Sequence, residues 1–483
     1  MTIKKMYIDG KWVTSSNRDV LDVIDPADGR VLYQIPRGQE EDVNQAVKAA
    51  RVAFESEDWY KLKPHERGRM LYKMSDLIRR DKEELATMET LDTGKPISQA
   101  RSDVEAGARY FEYYGGMADK LFGETIPIEY GILDYTVREP MGVTAHVVPW
   151  NYPLQIASRS VAAALATGNA VVLKPAEDTP SSSLKLAELF EEIGLPKGIY
   201  NVVTGLGHEA GAALTNHPDI DQITFTGSVE TGMAVMKAAA KHVIPVTLEL
   251  GGKSPNLVFE DCPWEDALNW VVRSIVQNAG QTCSAGSRLL VQRTIHETFV
   301  SEVCERMEAL KLGKGLEDPD LGPILSKKQF DRIMAFLDKA RDEKASVLTG
   351  GARASVDQSE KGYYLQPTVI DQVDLSSPLA QEEIFGPVLT VFPFEDEEEA
   401  LRLANGTPYG LVAGIWTKDV SRAHRLAGKI RAGQIFINNY GAGGGIQMPF
   451  GGYKKSGFGR EKGLEALRNY TQLKNVAVKY NYK

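Results

Sequence analysis

Short apolar runs rich in β-branched residues punctuate the first half of the chain: GVTAHVV (142–148), AVVLK (170–174), IYNVV (199–203), QITFT (222–226) and VIPVTLEL (243–250). Between them lie stretches of helical periodicity such as IASRSVAAALA and SSSLKLAELFEEIG. Strands covered on both faces read as continuously apolar, so this alternation predicts a parallel, doubly wound α/β sheet, here a nucleotide-binding domain. A second alternating region, from about 284 to 440, offers SRLLVQ, LQPTVI, PVLTVFPF, LVAGIWT and GQIFINN. It predicts a second α/β domain. TIPIEYGILDYTVRE (125–139) reads as an extended hairpin and QLKNVAVKYNYK as a terminal strand. Open edges on such a small β arm can pair between subunits.

Composition adds limits. With 483 residues, 43% of them hydrophobic and 25% charged, the chain exceeds one core and fits two or three domains. A net charge of -9 leaves no basic footprint for nucleic acid or anionic lipid. The start, MTIKKMYIDGKWV, lacks the apolar run of a signal peptide, and the uncharged window 141–158 is broken by Pro149, Asn151 and Pro153. The expectation is a cytoplasmic protein with no membrane span, whose partners are small molecules and copies of itself.

Three cysteines, Cys262, Cys283 and Cys304, form no CxxC pair and have no histidine at ligand spacing. Neither a disulfide framework nor a metal site is expected. Cys262 and Cys304 read as small apolar residues. Cys283 sits in QNAGQTCSAGSR (277–288) between two hydroxyl residues and two glycines, a context that fits packing or a nucleophile. Among the glycine clusters, GLGHEAG (205–211) misses the dinucleotide fingerprint by one residue. TGSVETG (226–232), with Gly227 and Ser228, follows a strand and opens a helix, so its N–H groups face either a phosphate or only a capped turn. KPAE (174–177) puts Lys174 and Glu177 at a strand's carboxyl end, as ribose ligands or as a plain charge pair.

Taken together, PWNYP (149–153), KPAE, FTGS (225–228), LELGGKSP (248–255), GQTC (280–283), EEIFGPV (382–388) and PFGGYKKSGFGRE (449–461) resemble the NAD(P)-dependent aldehyde dehydrogenase superfamily across nearly the whole chain. The resemblance implies an NAD-binding domain from 1–124 and 140–248, a catalytic domain from 249–452, and an oligomerisation arm from 125–139 and 462–483. It makes Cys283 the nucleophile: hydride loss is easier from a tetrahedral thiohemiacetal than from a carbonyl. Glu249 becomes the general base for thiol and water, which requires a carboxyl raised by burial. Asn151, with the Cys283 N–H, faces the oxyanion. Glu461 becomes a second base or proton relay, or else a structural ion-pair member. Lys174 and Glu177 fall on the adenosine ribose, Gly227 and Ser228 on the pyrophosphate, and Glu383 and Phe385 on the nicotinamide ribose and ring, with Trp150 also beside the cofactor. A carboxylate at the 2′-hydroxyl repels a 2′-phosphate, so NAD is preferred over NADP.

Departures from the family pattern concern the substrate. Arg159 stands where many relatives carry an aromatic residue, as in the semialdehyde branch, where arginine binds a distal carboxylate. An arginine on an exposed helix face is the alternative. Gly443, Gly444 and Gly445 replace bulky side chains and imply a wide mouth for long or aromatic aldehydes, with Tyr152 and Phe450 as aromatic walls. Ser160 replaces a lysine thought to help proton exit. Glu249 favours hydrolysis over CoA acylation, and the joint presence of Cys283, Glu249 and Asn151 disfavours a silent binding descendant. A homodimer or homotetramer is implied.

Overall fold

The computed structural model describes residues 2–356, 361–441 and 445–481. Its first sheet has eight strands in the spatial order Gly457–Phe458, Val246–Glu249, Gln222–Thr226, Val143–Val147, Ala170–Lys174, Tyr200–Val202, Met6–Ile8 and Lys11–Val13. The five central strands run parallel; the outer pairings are antiparallel. Ala170–Lys174 and Gln222–Thr226 are buried at every position; the first reads as an apolar run closed by Lys174, the second as Ile223 and Phe225 between Gln222, Thr224 and Thr226.

Chain order reverses beside Val143–Val147: the strands at 170 and 200 follow on one side, those at 222 and 246 on the other. Such a reversal opens a crevice at the carboxyl ends of the strands, the place where open α/β sheets hold ligands. PWNYP leaves one of the two flanking strands and Gly227–Ser228 the other. The strand expected over 243–250 starts only at Val246, because helix Val229–His242 extends to its foot and Val243 closes that helix at φ 57°.

The second sheet has seven strands, in the order Ser346–Thr349, Thr368–Asp371, Val388–Phe394, Arg288–Gln292, Pro255–Val258, Val412–Trp416 and Gln434–Ile437. All pair in parallel except the first. The five anticipated strands are present. The other two, Pro255–Val258 beside the central Arg288–Gln292 and Ser346–Thr349 at the edge, are not among them.

Ile132–Pro140 and Thr471–Lys479 pair antiparallel over their full lengths, and Thr125–Ile126 completes a three-stranded arm. Before reaching the arm, the chain beyond 452 returns to the first sheet, where Gly457–Phe458 lies against Val246–Glu249. Among the described residues, no helix is long and apolar enough to cross a membrane.

Candidate active site

Cys283 follows helix Trp264–Val276 and the tight turn Gln277–Gly280. Within that turn Asn278, Ala279 and Gly280 have φ of 51°, 52° and 73°. Left-handed backbone costs a non-glycine residue roughly 1–2 kcal/mol, so two such residues persist only if their surroundings fix them. The surroundings do so through hydrogen bonds. Asn278 Nδ2 donates to the carbonyls of Asn151 at 3.0 Å and Gln281 at 3.3 Å, and Gln281 Nε2 donates to the Asn278 carbonyl at 3.0 Å. At Gly280 a Cβ would strike the Gly386 carbonyl, so only glycine fits.

The same bonds lace PWNYP to GQTC. Asn151 Nδ2 donates to the Gln281 carbonyl at 3.0 Å, and the Tyr152 hydroxyl meets Thr282 Oγ1 at 2.8 Å. Behind them sits a lysine that the sequence did not single out. Buried Lys95 Nζ donates to Asp103 Oδ2 at 2.6 Å and to the Asn151 carbonyl at 2.9 Å, and lies 4.2 Å above the Tyr152 ring.

Glu249 ends its strand only 1% exposed, and neither carboxyl oxygen has a hydrogen-bond partner among the described residues. The glycines after it allow close approach: at Gly252 a Cβ would lie 2.5 Å from the Cys283 carbonyl. Burial, then the neighbouring Glu461, drives the Glu249 carboxyl well above the usual range, with Arg159 pulling back. Burial likewise pushes the Cys283 thiol up to about 12, helped by Glu383 and Glu249 and opposed by Arg159. The resting site therefore holds a neutral thiol beside a carboxyl ready to carry a proton.

Arg159, on helix Pro153–Ala166, is not on an exposed face; it is 5% exposed. Its guanidinium is ion-paired with Glu461, reaches Thr226 Oγ1 at 3.4 Å and lies 5.3 Å from the Phe450 ring. The group expected to receive a substrate carboxylate already holds one. Burial pushes Glu461 up, against the pull of Arg159. Phe450 and Glu461 exchange backbone hydrogen bonds at 2.6 and 2.7 Å. Ser160 Oγ turns back to the carbonyls of Ile156 and Ala157, both at 3.3 Å, away from the carboxyl pair. Of the glycine run, Gly443 and Gly444 lie outside the described residues.

The residues expected at a cofactor gather along the sheet's carboxyl ends. Lys174 Nζ meets Glu177 Oε2 at 2.8 Å. Ser228 caps helix Val229–His242, its Oγ accepting from the Thr231 N–H at 3.2 Å, which leaves the preceding helix N–H groups without an intrahelical acceptor. At Gly227 a Cβ would lie 2.6 Å from the Phe225 ring. Glu383 Oε1 accepts from the Gly252 N–H at 2.9 Å, and burial lifts this carboxyl to about 7. The Trp150 and Phe385 rings meet edge to face at 5.2 Å; Phe385 has φ 62° and is held by Gln329 Nε2 at 2.9 Å from its carbonyl. GLGHEAG instead forms a π-helical turn over Gly207–Gly211, whose Glu209 is bound by Arg37. Among the described residues, no group of three metal-ligating side chains occurs.

Comparison with known proteins agrees with this geometry. Residues 12–476 match the model of the aldehyde dehydrogenase family. The chain is 45% identical over 473 residues to an aldehyde dehydrogenase of Aspergillus niger, a match covering 98% of this chain and 94% of that one. It superposes on the NAD+ complex of an aldehyde dehydrogenase from Bacillus cereus with a TM-score of 0.96 and 45% identity, over 99% of this chain and 97% of the other. A point mutant of betaine aldehyde dehydrogenase from Staphylococcus aureus, in complex with NAD+ and with a BME-modified cysteine, gives a TM-score of 0.97 and 40% identity over 99% and 98% of the two chains. A family model spanning almost every residue, and relatives matched end to end, leave one conclusion: the chain belongs to the aldehyde dehydrogenase family.

Proposed function

We propose that the protein oxidises an aldehyde to its carboxylic acid, using NAD, through a thioester on Cys283. The observation that carries this reading is the Glu249 carboxyl, buried without a hydrogen-bond partner among the described residues, at the end of the strand whose following glycine turn abuts Cys283 at Gly252. A buried carboxyl with nothing to bond costs stability, and a proton-transfer task accounts for its retention.

In this reading Glu249, in its ionised form, takes the thiol proton as Cys283 Sγ bonds to the carbonyl carbon. A carboxyl raised by burial is a stronger base than an ordinary one. The carbonyl oxygen becomes an oxyanion, which the second Asn151 Nδ2 hydrogen and the Cys283 N–H are suited to meet. One such donor contributes on the order of a hundred- to thousandfold in rate. NAD, when bound, accepts the hydride that leaves this carbon. Glu249 releases that first proton to solvent and then draws one from water, whose oxygen attacks the thioester; the C–S bond breaks, the acid leaves, and Glu249 returns its proton to the sulfur, restoring the thiol. Water activation at Glu249 makes the free acid, not a CoA ester, the product.

The chain's polar groups suit such a cofactor: helix N–H groups after Ser228 to donate to the pyrophosphate, and the Glu177 and Glu383 carboxylates to accept from the hydroxyls of one ribose and the other. The Glu177 carboxylate favours NAD over NADP. For the arm, the exposed Ile128, Tyr130, Leu133 and Leu473 support association of copies into a dimer or tetramer. The test is NADH formation from a panel of aldehydes by the wild-type protein and Cys283→Ser. Wild type produces NADH and free acid; a serine variant that retains NADH production would show that the sulfur is not the nucleophile.

A further inference from the structure

Two cations face the Phe450 ring, and one of them stands without a partner. The Arg159 guanidinium, 5.3 Å from the ring, is ion-paired with Glu461. The other is Lys462, whose ammonium lies 5.1 Å from the ring. Among the described residues, the Lys462 side chain makes no ion pair and no hydrogen bond; its backbone carbonyl accepts from the Ala466 N–H at 3.4 Å. It is half-buried, within electrostatic reach of Cys283, Glu461 and Glu249.

The backbone fixes that placement. Lys462 follows the Phe450–Glu461 bridge directly, adopts a left-handed φ of 63°, and precedes Gly463, whose N–H donates to the Ile446 carbonyl at 2.9 Å. It thus borders Ile446 and Phe450, and the sequence reads Phe450 as an aromatic wall for the substrate. A cation that is partly desolvated and unpaired costs free energy, which an anion arriving from solution offsets. The neighbouring aromatic face offers only a weaker, cation–π share of that offset.

Resting on the aldehyde-oxidation reading above, the geometry points to Lys462, and not Arg159, as the group that selects aldehydes carrying a carboxylate at their far end. The ammonium binds the carboxylate while the aldehyde carbon lies at Cys283.

The test compares kcat/KM for 4-oxobutanoate and 5-oxopentanoate with that for butanal and pentanal, in wild type, Lys462→Met and Lys462→Arg. Wild type favours the carboxylate-bearing aldehydes. Lys462→Met lowers the ratio of anionic to neutral kcat/KM by about ten- to a hundredfold, chiefly through KM, and Lys462→Arg restores it to within a few fold. A parallel loss for both classes would assign the lysine to the carboxyl pair instead and overturn the proposal, as would a wild type with no preference for the anions. NADH from none of the four aldehydes would strike the aldehyde-oxidation reading itself. One measurement needs no variant: glutarate should inhibit wild-type butanal oxidation more strongly than glutaramide, and equal inhibition sinks the anchor.

Discussion

Replacing Lys95 by Met tests whether Asn151, proposed above to meet the oxyanion, is held from behind. Lys95 has a fully buried side chain and that of Asp103 is 6% exposed, so the substitution strands a carboxylate away from both water and cation. Removing one member of a buried pair costs about 3–5 kcal/mol. Asp103, already raised by burial, escapes part of that cost by binding a proton. The sign follows: the folded carboxyl then holds a proton to a higher pH than an unfolded aspartate, which releases it near pKa ~3.9. The deficit against wild type is therefore largest at neutral pH and shrinks as pH falls. The rate also drops, because the bond that anchors the Asn151 carbonyl at 2.9 Å is gone. A hydrogen bond from a charged donor contributes about 1.5 kcal/mol or more, close to tenfold if all of it serves positioning. Lys95→Met/Asp103→Leu removes both charges, so it should recover most of the stability while leaving kcat low. Urea unfolding by tryptophan fluorescence, acid and neutral, and NADH formation read the two quantities. A single variant within about 0.5 kcal/mol of wild type, the range of an ordinary surface change, refutes the argument. So does a double variant that regains stability and rate together.

Two further outcomes rest on other buried groups. Arg159 is the cation that opposes the upward shift of both Glu249 and Glu461, so Arg159→Leu should move the rising limb of kcat/KM against pH to higher pH by about one unit; an unmoved limb refutes this role. His146 is fully buried beside Tyr470, with burial lowering its imidazole from 6.5 to about 3. The unfolded chain alone protonates it between those values, so stability should fall by about 1.4 kcal/mol for each unit of pH lost below ~6.5, and His146→Phe should flatten that slope in urea midpoints taken at successive pH values.

Most of the parallel framework was legible because its strands are short runs rich in β-branched and aromatic residues set between helical stretches, as in AVVLK at 170–174 and QITFT at 222–226. Pro255–Val258 escaped because it is four residues long, begins on proline and follows a glycine turn whose chemistry drew the eye. Gly457–Phe458 escaped because two residues carry no period, and their pairing with Val246–Glu249 is dictated two hundred residues away. For the site, recognisable motifs supplied Cys283, Glu249 and Asn151, and the structure brings their segments together. Lys95, Asp103 and Lys462 had no local signature; their meaning lies in what tertiary packing puts beside them. Arg159 shows the reverse case. Its substitution pattern was visible, but the partner that occupies it, Glu461, lies three hundred residues downstream.

That two-residue strand has a consequence for biosynthesis. The edge of Val246–Glu249 gains its last backbone neighbour only when residues 457 and 458 leave the ribosome, and the arm is zipped later still, by 471–479. A nascent or clipped chain ending before that point presents the Glu249 strand as an open edge, ready to pair with another polypeptide. Quality control of this protein thus depends on residues 457–458 and 471–479 being present.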